Sequence, residues 1–259
     1  VEQRDLIVNV SGLSKVYDGS SDMVNLSLSS NAISNDRITL SGQGSYSDKN
    51  VSNSKSYLVS NISASGLDVA NYSLNISSVM GSTGAISARP LTVVYTGVDK
   101  IYDGTSAATV VTSDDRLLGD VFNISRTAVF QSSGIADKRV EAQKSIAVTG
   151  ATLSGDDAAN YALVSTTGSA TANITPKELR ILGITVSDKV YDAATTATVN
   201  LAGLSANVLA AGGMVVGDTI SVDTVTGTFS DKNVGSDKTV TLSNFTYGGD
   251  AANYQIIDQ

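Results

Sequence analysis

The sequence predicts an all-β protein built from three tandem copies of one module. Three observations carry that expectation. Gly, Ser, Thr, Asn, Asp and Val abound, while the helix formers Glu, Gln and Met are scarce. Short stretches alternate apolar and polar residues, as in Lys238-Thr239-Val240-Thr241-Leu242 and Ser145-Ile146-Ala147-Val148, the period of a half-buried strand. Three sequence markers recur in the same order three times, the signature of a repeat architecture.

The first marker is Lys15-Val16-Tyr17-Asp18-Gly19, which returns as Lys100-Ile101-Tyr102-Asp103-Gly104 and Lys189-Val190-Tyr191-Asp192-Ala193, at spacings of 85 and 89 residues. Lys15, Lys100 and Lys189 alternate with Tyr17, Tyr102 and Tyr191, which predicts an edge strand whose charge resists pairing with other chains. Asp18-Gly19 and Asp103-Gly104 read as turns; Ala193 implies that positive φ is either unnecessary or tolerated in the third copy. The second marker centres on Asp48, Asp137 and Asp231, each followed by Lys, and predicts a turn capped by the Asp side chain. The third is Asp68-Val69-Ala70-Asn71-Tyr72, repeated at Asp157–Tyr161 and Asp250–Tyr254.

Spacing within a copy divides it in two. The second marker's Asp and the third marker's Asn are 23, 23 and 22 residues apart, whereas the first marker's Lys and the second's Asp are 33, 37 and 42 apart. The C-terminal half is therefore fixed in size and the N-terminal half holds a variable surface loop, expected at 206–217 in the third copy. Pro90 and Pro176, the only prolines, mark the joints, where each is expected to stop a ladder and stiffen the link. The module boundaries follow as 1–89, 90–176 and 177–259, the last expected to lack its final strand.

Modules of this length with short alternating strands predict immunoglobulin-like β-sandwiches strung into an elongated rod, with a β-grasp module as the alternative. The third marker resembles the tyrosine corner of such sandwiches: Tyr72, Tyr161 and Tyr254 would open a strand and bond back to nearby backbone. Ala70, Ala159 and Ala252 would lie buried beneath the turn, and Asn71, Asn160 and Asn253 would face away from the core.

Composition limits function. The net charge is −8, which argues against nucleic acid as a partner. Without His or Cys, the usual zinc ligands, thiol chemistry and the Ser-His-Asp triad are excluded, and no catalytic residue is expected. Acids that repeat with the module do not suit a single active site, so no enzyme is expected. Calcium is the one cofactor to weigh, through Asp48, Asp68, Asp137, Asp157, Asp231 and Asp250, although their spacing is not that of a calcium loop. A Lys15–Asn71 type of covalent link is disfavoured by the expected orientation of the Asn. No apolar run of about 18 residues spans a membrane. No secretory leader opens the chain, which reads as an interior piece of a longer secreted protein.

Taken together, the Lys-x-Tyr-Asp-Gly marker, the Asp-Lys-Asn-Val-Gly run at 231–235, the Gly-Asp-Asp-Ala-Ala-Asn-Tyr run at 155–161 and the Ile-Thr-Pro-Lys-Glu-Leu run at 174–179 resemble the YDG repeat domains of large bacterial secreted adhesins, the filamentous-haemagglutinin-like proteins exported by two-partner secretion. Ala193 and Arg139 depart from the pattern. The resemblance implies a secreted or cell-surface stalk in an adhesin or biofilm matrix, a monomeric rod whose partners are the neighbouring repeats. The alternative is weak, multivalent binding of exopolysaccharide or a host surface.

Overall fold

The computed structural model describes residues 1–257. The fold is all-β, with one short α-helix and three single-turn 3-10 helices among the described residues. It divides into two compact units, residues 1–94, 112–126 and 150–167 in one, and 95–111, 127–149 and 168–259 in the other. The units do not coincide with the copies: the first holds all of copy one together with three stretches of copy two, 90–94, 112–126 and 150–167.

In the first unit the main sheet orders its strands Ser14–Val16, Val79–Ser87, Ser52–Ser65 and Thr39–Tyr46. The first pair is parallel, with Lys15 opposite Ile86, and the others are antiparallel. Bulges interrupt the 14-residue strand beside Lys55 and beside Gln43, which bends so long a ladder. Smaller two-stranded pairings complete the unit: Arg4–Asp5 with Tyr72–Ser73 and Arg89–Leu91 with Tyr161–Leu163, both parallel, and Val8–Ser11 with Ser27–Ser30, antiparallel. These parallel ladders depart from the antiparallel sheets of an immunoglobulin sandwich. Pro90 lies inside one of them, opposite Ala162, so it does not stop a ladder; its missing donor is tolerated on a two-stranded edge.

Between its bulges the main sheet alternates more and less buried residues. Val59, Ile62 and Ile86 pack with Tyr17, Tyr46 and Leu91, and the same cluster takes in Phe122, Ile124 and Tyr161 of copy two. The apolar core is thus continuous from one copy into the next.

In the second unit the same register returns. Lys100 lies opposite Ile174 in a parallel pair, and the strand Gly168–Thr175 pairs antiparallel with the strand Glu141–Ser154. Lys177–Arg180 runs parallel to Tyr254–Ile257, and Thr196–Ala197, Ile220–Phe229 and Val240–Gly249 form an antiparallel sheet. The expected loop at 206–217 begins as a helix, Ala206–Ala211. Ser205 caps it by accepting from the Val208 N–H at 3.3 Å, and Leu209 is buried beneath it. Ala-rich sequence with a Ser cap favours a helical turn once one apolar side chain can be buried.

Candidate functional site: a clasp between successive copies

Each copy first builds the same acceptor. A four-residue turn, 33–36, 117–120 or 215–218, ends in Asp36, Asp120 or Asp218, whose N–H bonds to the first residue's carbonyl at 3.1, 3.2 and 3.2 Å. The residue before the Asp is left-handed in all three: Asn35 (φ 84°), Gly119 (97°) and Gly217 (93°), residue types that tolerate that region. The hydroxyls of Tyr72, Tyr161 and Tyr254 accept from the first N–H of the turn at 2.8, 2.9 and 2.8 Å. Each hydroxyl also donates to the Asp carboxylate at 2.6 Å. Asp68, Asp157 and Asp250 accept the next backbone N–H at 2.8, 2.9 and 2.9 Å. The tyrosine therefore bonds 39, 44 and 39 residues upstream, not to nearby backbone as a tyrosine corner does. It ties the fixed half of the module to its variable half.

The preceding copy supplies the other side. Tyr17 donates to both Asp120 oxygens, at 3.0 and 2.9 Å, and the Lys49 ammonium reaches Asp120 at 2.9 Å and Asp157 at 3.0 Å. The rings of Tyr17 and Tyr161 meet edge to face, 5.5 Å apart. The Val51 N–H donates to the Asn160 side-chain oxygen at 3.0 Å, and Asn160 donates to Asn50 at 3.2 Å. At the next joint Tyr102 and Lys138 both reach Asp218 at 2.8 Å, the Tyr102 and Tyr254 rings are again 5.5 Å apart, and Val140 N–H donates to Asn253 at 3.0 Å.

Charge explains why the cluster holds. Burial pushes the Asp120 carboxyl up, but bonds from Tyr161, Lys49 and Tyr17 outweigh it and hold the group below the usual range. Burial and the same carboxylate push Tyr161 up to about 12. Lys49 is raised by Asp120, then by Tyr17 and Asp157. Two neutral phenols and one ammonium around one largely buried carboxylate form a satisfied polar network.

The other predicted residues work inside their own copies. Lys15, Lys100 and Lys189 bond Asp18, Asp103 and Asp192 at 2.6, 2.8 and 2.7 Å, and reach the carbonyls of Ser20, Thr105 and Ala194. Lys15 is only 6% exposed, so it staples its turn and does not present charge at a solvent-facing edge. Asp48, Asp137 and Asp231 cap their turns by accepting the N–H two residues on, and each also takes an ammonium, from Lys55, Lys144 and Lys238. The six calcium candidates are thus held by ammonium or backbone donors. Among the described residues no three acidic side chains gather as a metal site.

Two expectations about the third marker are reversed. Ala70, Ala159 and Ala252 are exposed, because the 3-10 turn aims them outward. Asn160 and Asn253 are buried, at 2% and 5% exposure, because the preceding copy covers them; Asn71 is exposed. Asp36, Asp120 and Asp218 escaped sequence reasoning because they lie in the half whose spacing varies. The signal was there in Asn35-Asp36, Gly119-Asp120 and Gly217-Asp218, a left-handed residue before each acid.

The YDG domain family matches residues 2–79, 87–169 and 175–259, almost the whole length. The chain belongs to the YDG domain family. No curated protein and no solved structure matches it. The Gly of the YDG motif has two duties here. Gly19 and Gly104 both adopt φ +80°, and a Cβ on either would meet the next copy's acceptor turn, at Leu117 Cδ1 (3.3 Å) and Val215 Cγ1 (2.6 Å). In the third YDG copy Ala193 keeps a positive φ of 63°. There Tyr191 is 56% exposed, against 1% for Tyr17 and Tyr102.

Proposed function

We propose that this chain is a spacer in a secreted bacterial surface adhesin or biofilm-matrix protein, projecting or linking adhesive parts. One observation carries the reading: a set of side chains that recurs from copy to copy closes the joints between successive copies. Tyr17, Lys49 and Asn50 meet Asp120, Asp157, Asn160 and Tyr161, and the next joint repeats the pattern. Repetition of units that each contact their neighbours suits a stalk. The absence of Cys and His from the sequence suits a role without chemistry. The modules are read as sandwich-like units in tandem, giving an extended, semi-rigid particle.

Small-angle scattering on the whole chain tests this. An extended profile is expected, and Asp120→Asn combined with Asp218→Asn should broaden the distance distribution as the joints loosen. A compact globule, or saturable binding of exopolysaccharide that persists in each single module, would overturn the reading.

A further inference from the structure

Covalently, copies meet only where the last strand of one runs into the first strand of the next, as Val79–Ser87 runs into Arg89–Leu91. A pull along the chain therefore enters a copy at its first segment and leaves at its last. In copy one these two segments are paired with each other and run the same way. Arg4–Asp5 is parallel to Tyr72–Ser73, and Ser14–Val16 is parallel to Val79–Ser87. The Leu6 N–H donates to the Ser73 carbonyl, the Ala85 N–H to the Leu13 carbonyl and the Tyr17 N–H to the Ser87 carbonyl, each at 2.9 Å. Leu6, Tyr17 and Ile86 are buried at these pairings, which limits the exchange of the bonds with water.

The other copies pair their ends in the same sense. In copy two Arg89–Leu91 is parallel to Tyr161–Leu163, where the Val164 N–H donates to the Leu91 carbonyl at 3.0 Å. Lys100–Ile101 is parallel to Gly168–Thr175, where the Tyr102 N–H donates to the Thr175 carbonyl at 2.9 Å. Asp99 adds a side-chain fastener there, accepting from the Asn173 N–H at 2.7 Å and from the Asn173 side-chain amide at 2.8 Å. In copy three Lys177–Arg180 is parallel to Tyr254–Ile257, and the Ile181 N–H donates to the Ile257 carbonyl at 3.0 Å. Leu6, Leu91 and Leu179 hold one place in these first segments, and all three are buried.

We propose that each copy is a load-bearing clamp whose first and last segments resist tension in shear. Direction decides the mechanics. Two parallel strands pulled at the N-terminal end of one and the C-terminal end of the other are drawn past each other along their length. The bonds between them then share the load and break together. Strands pulled apart from a common end lose the same bonds one at a time. The long antiparallel ladders, such as Thr39–Tyr46 with Ser52–Ser65, hold neither end of the load path. The use of such a clamp rests on the spacer reading, in which copies carry load between adhesive parts.

The chain has no Cys, so paired Cys substitutions give unique handles for single-molecule force clamping of the whole chain. Glu2→Cys with Ala88→Cys loads copy one in shear. Val16→Cys with Ala88→Cys pulls Ser14–Val16 and Val79–Ser87 apart from their common C-terminal end. Glu2 and Val16 are exposed and Ala88 is half-buried, and the two variants are first matched by their urea midpoints. At one fixed load the first should outlast the second by about tenfold or more, because forced unfolding follows the unfolding barrier and in shear several bonds break in one step. Equal lifetimes, or a longer life for the second variant, overturn the proposal. A compact scattering profile would sink the spacer reading and leave this ratio unchanged, so the two fail separately.

Discussion

Tyr17 and Tyr191 hold the same place in one motif, yet the first is 1% exposed and the second 56%. The difference lies in what faces them: Tyr17 donates to Asp120 of the next copy. Tyr17→Phe should cost about 1.5–3 kcal/mol of stability, the worth of a hydrogen bond to a charged acceptor. Tyr191→Phe should change urea unfolding by less than about 0.5 kcal/mol, as surface changes do. Glycine gives a matching contrast. Gly104→Ala meets both a left-handed φ and Val215, and should destabilise by about 1–2 kcal/mol. Ala193→Gly relieves a left-handed Ala and should stabilise by about 1 kcal/mol, read from the same unfolding curves. The Asp-Gly turn and the Asx caps were legible in the sequence because their bonds are local. The burial of Lys15 and Asn160 was not, since it depends on what packs over them.

Among elements, the sequence placed the variable half of the module and the size of its insertion, but not the helix Ala206–Ala211. Six residues are too few to hold a helix alone, and what decides it is the burial of Leu209, a tertiary contact. Strand alternation was likewise readable, whereas pairing direction was not. Lys15-Val16 runs parallel to Ile86-Ser87, and no periodicity along one strand announces the direction of its neighbour. The third marker was recognised as structural, but its tyrosine was assigned to local backbone. Its true partners, Asp36, Asp120 and Asp218, lie across the variable loop.

For the molecule as a whole, the joints set how stability depends on pH. Asp120 and Asp218 are held below their ordinary value of 3.8. A carboxyl depressed by folding contributes fully above its unfolded value, and that contribution is lost as pH falls below it. Tyr161 is raised from 10.0 to about 12, so its contribution is full below pH 10.0 and lost as pH rises through about 12. Urea midpoints should therefore stay level between about pH 5 and 9 and fall on both sides. Asp120→Asn should flatten part of the acid limb. The repeat count and the modular design were visible in the sequence alone. That the recurrent residues join copies was not, because each joint draws its two halves from residues about 100 positions apart, such as Tyr17 and Asp120.

The most direct test of the clasp is a double-mutant cycle between those two residues, Tyr17→Phe and Asp120→Asn, measured by urea unfolding of the whole chain. A coupling energy of about 1 kcal/mol or more is expected, since contacting groups in one network do not act additively. Additivity within about 0.3–0.5 kcal/mol would contradict the clasp.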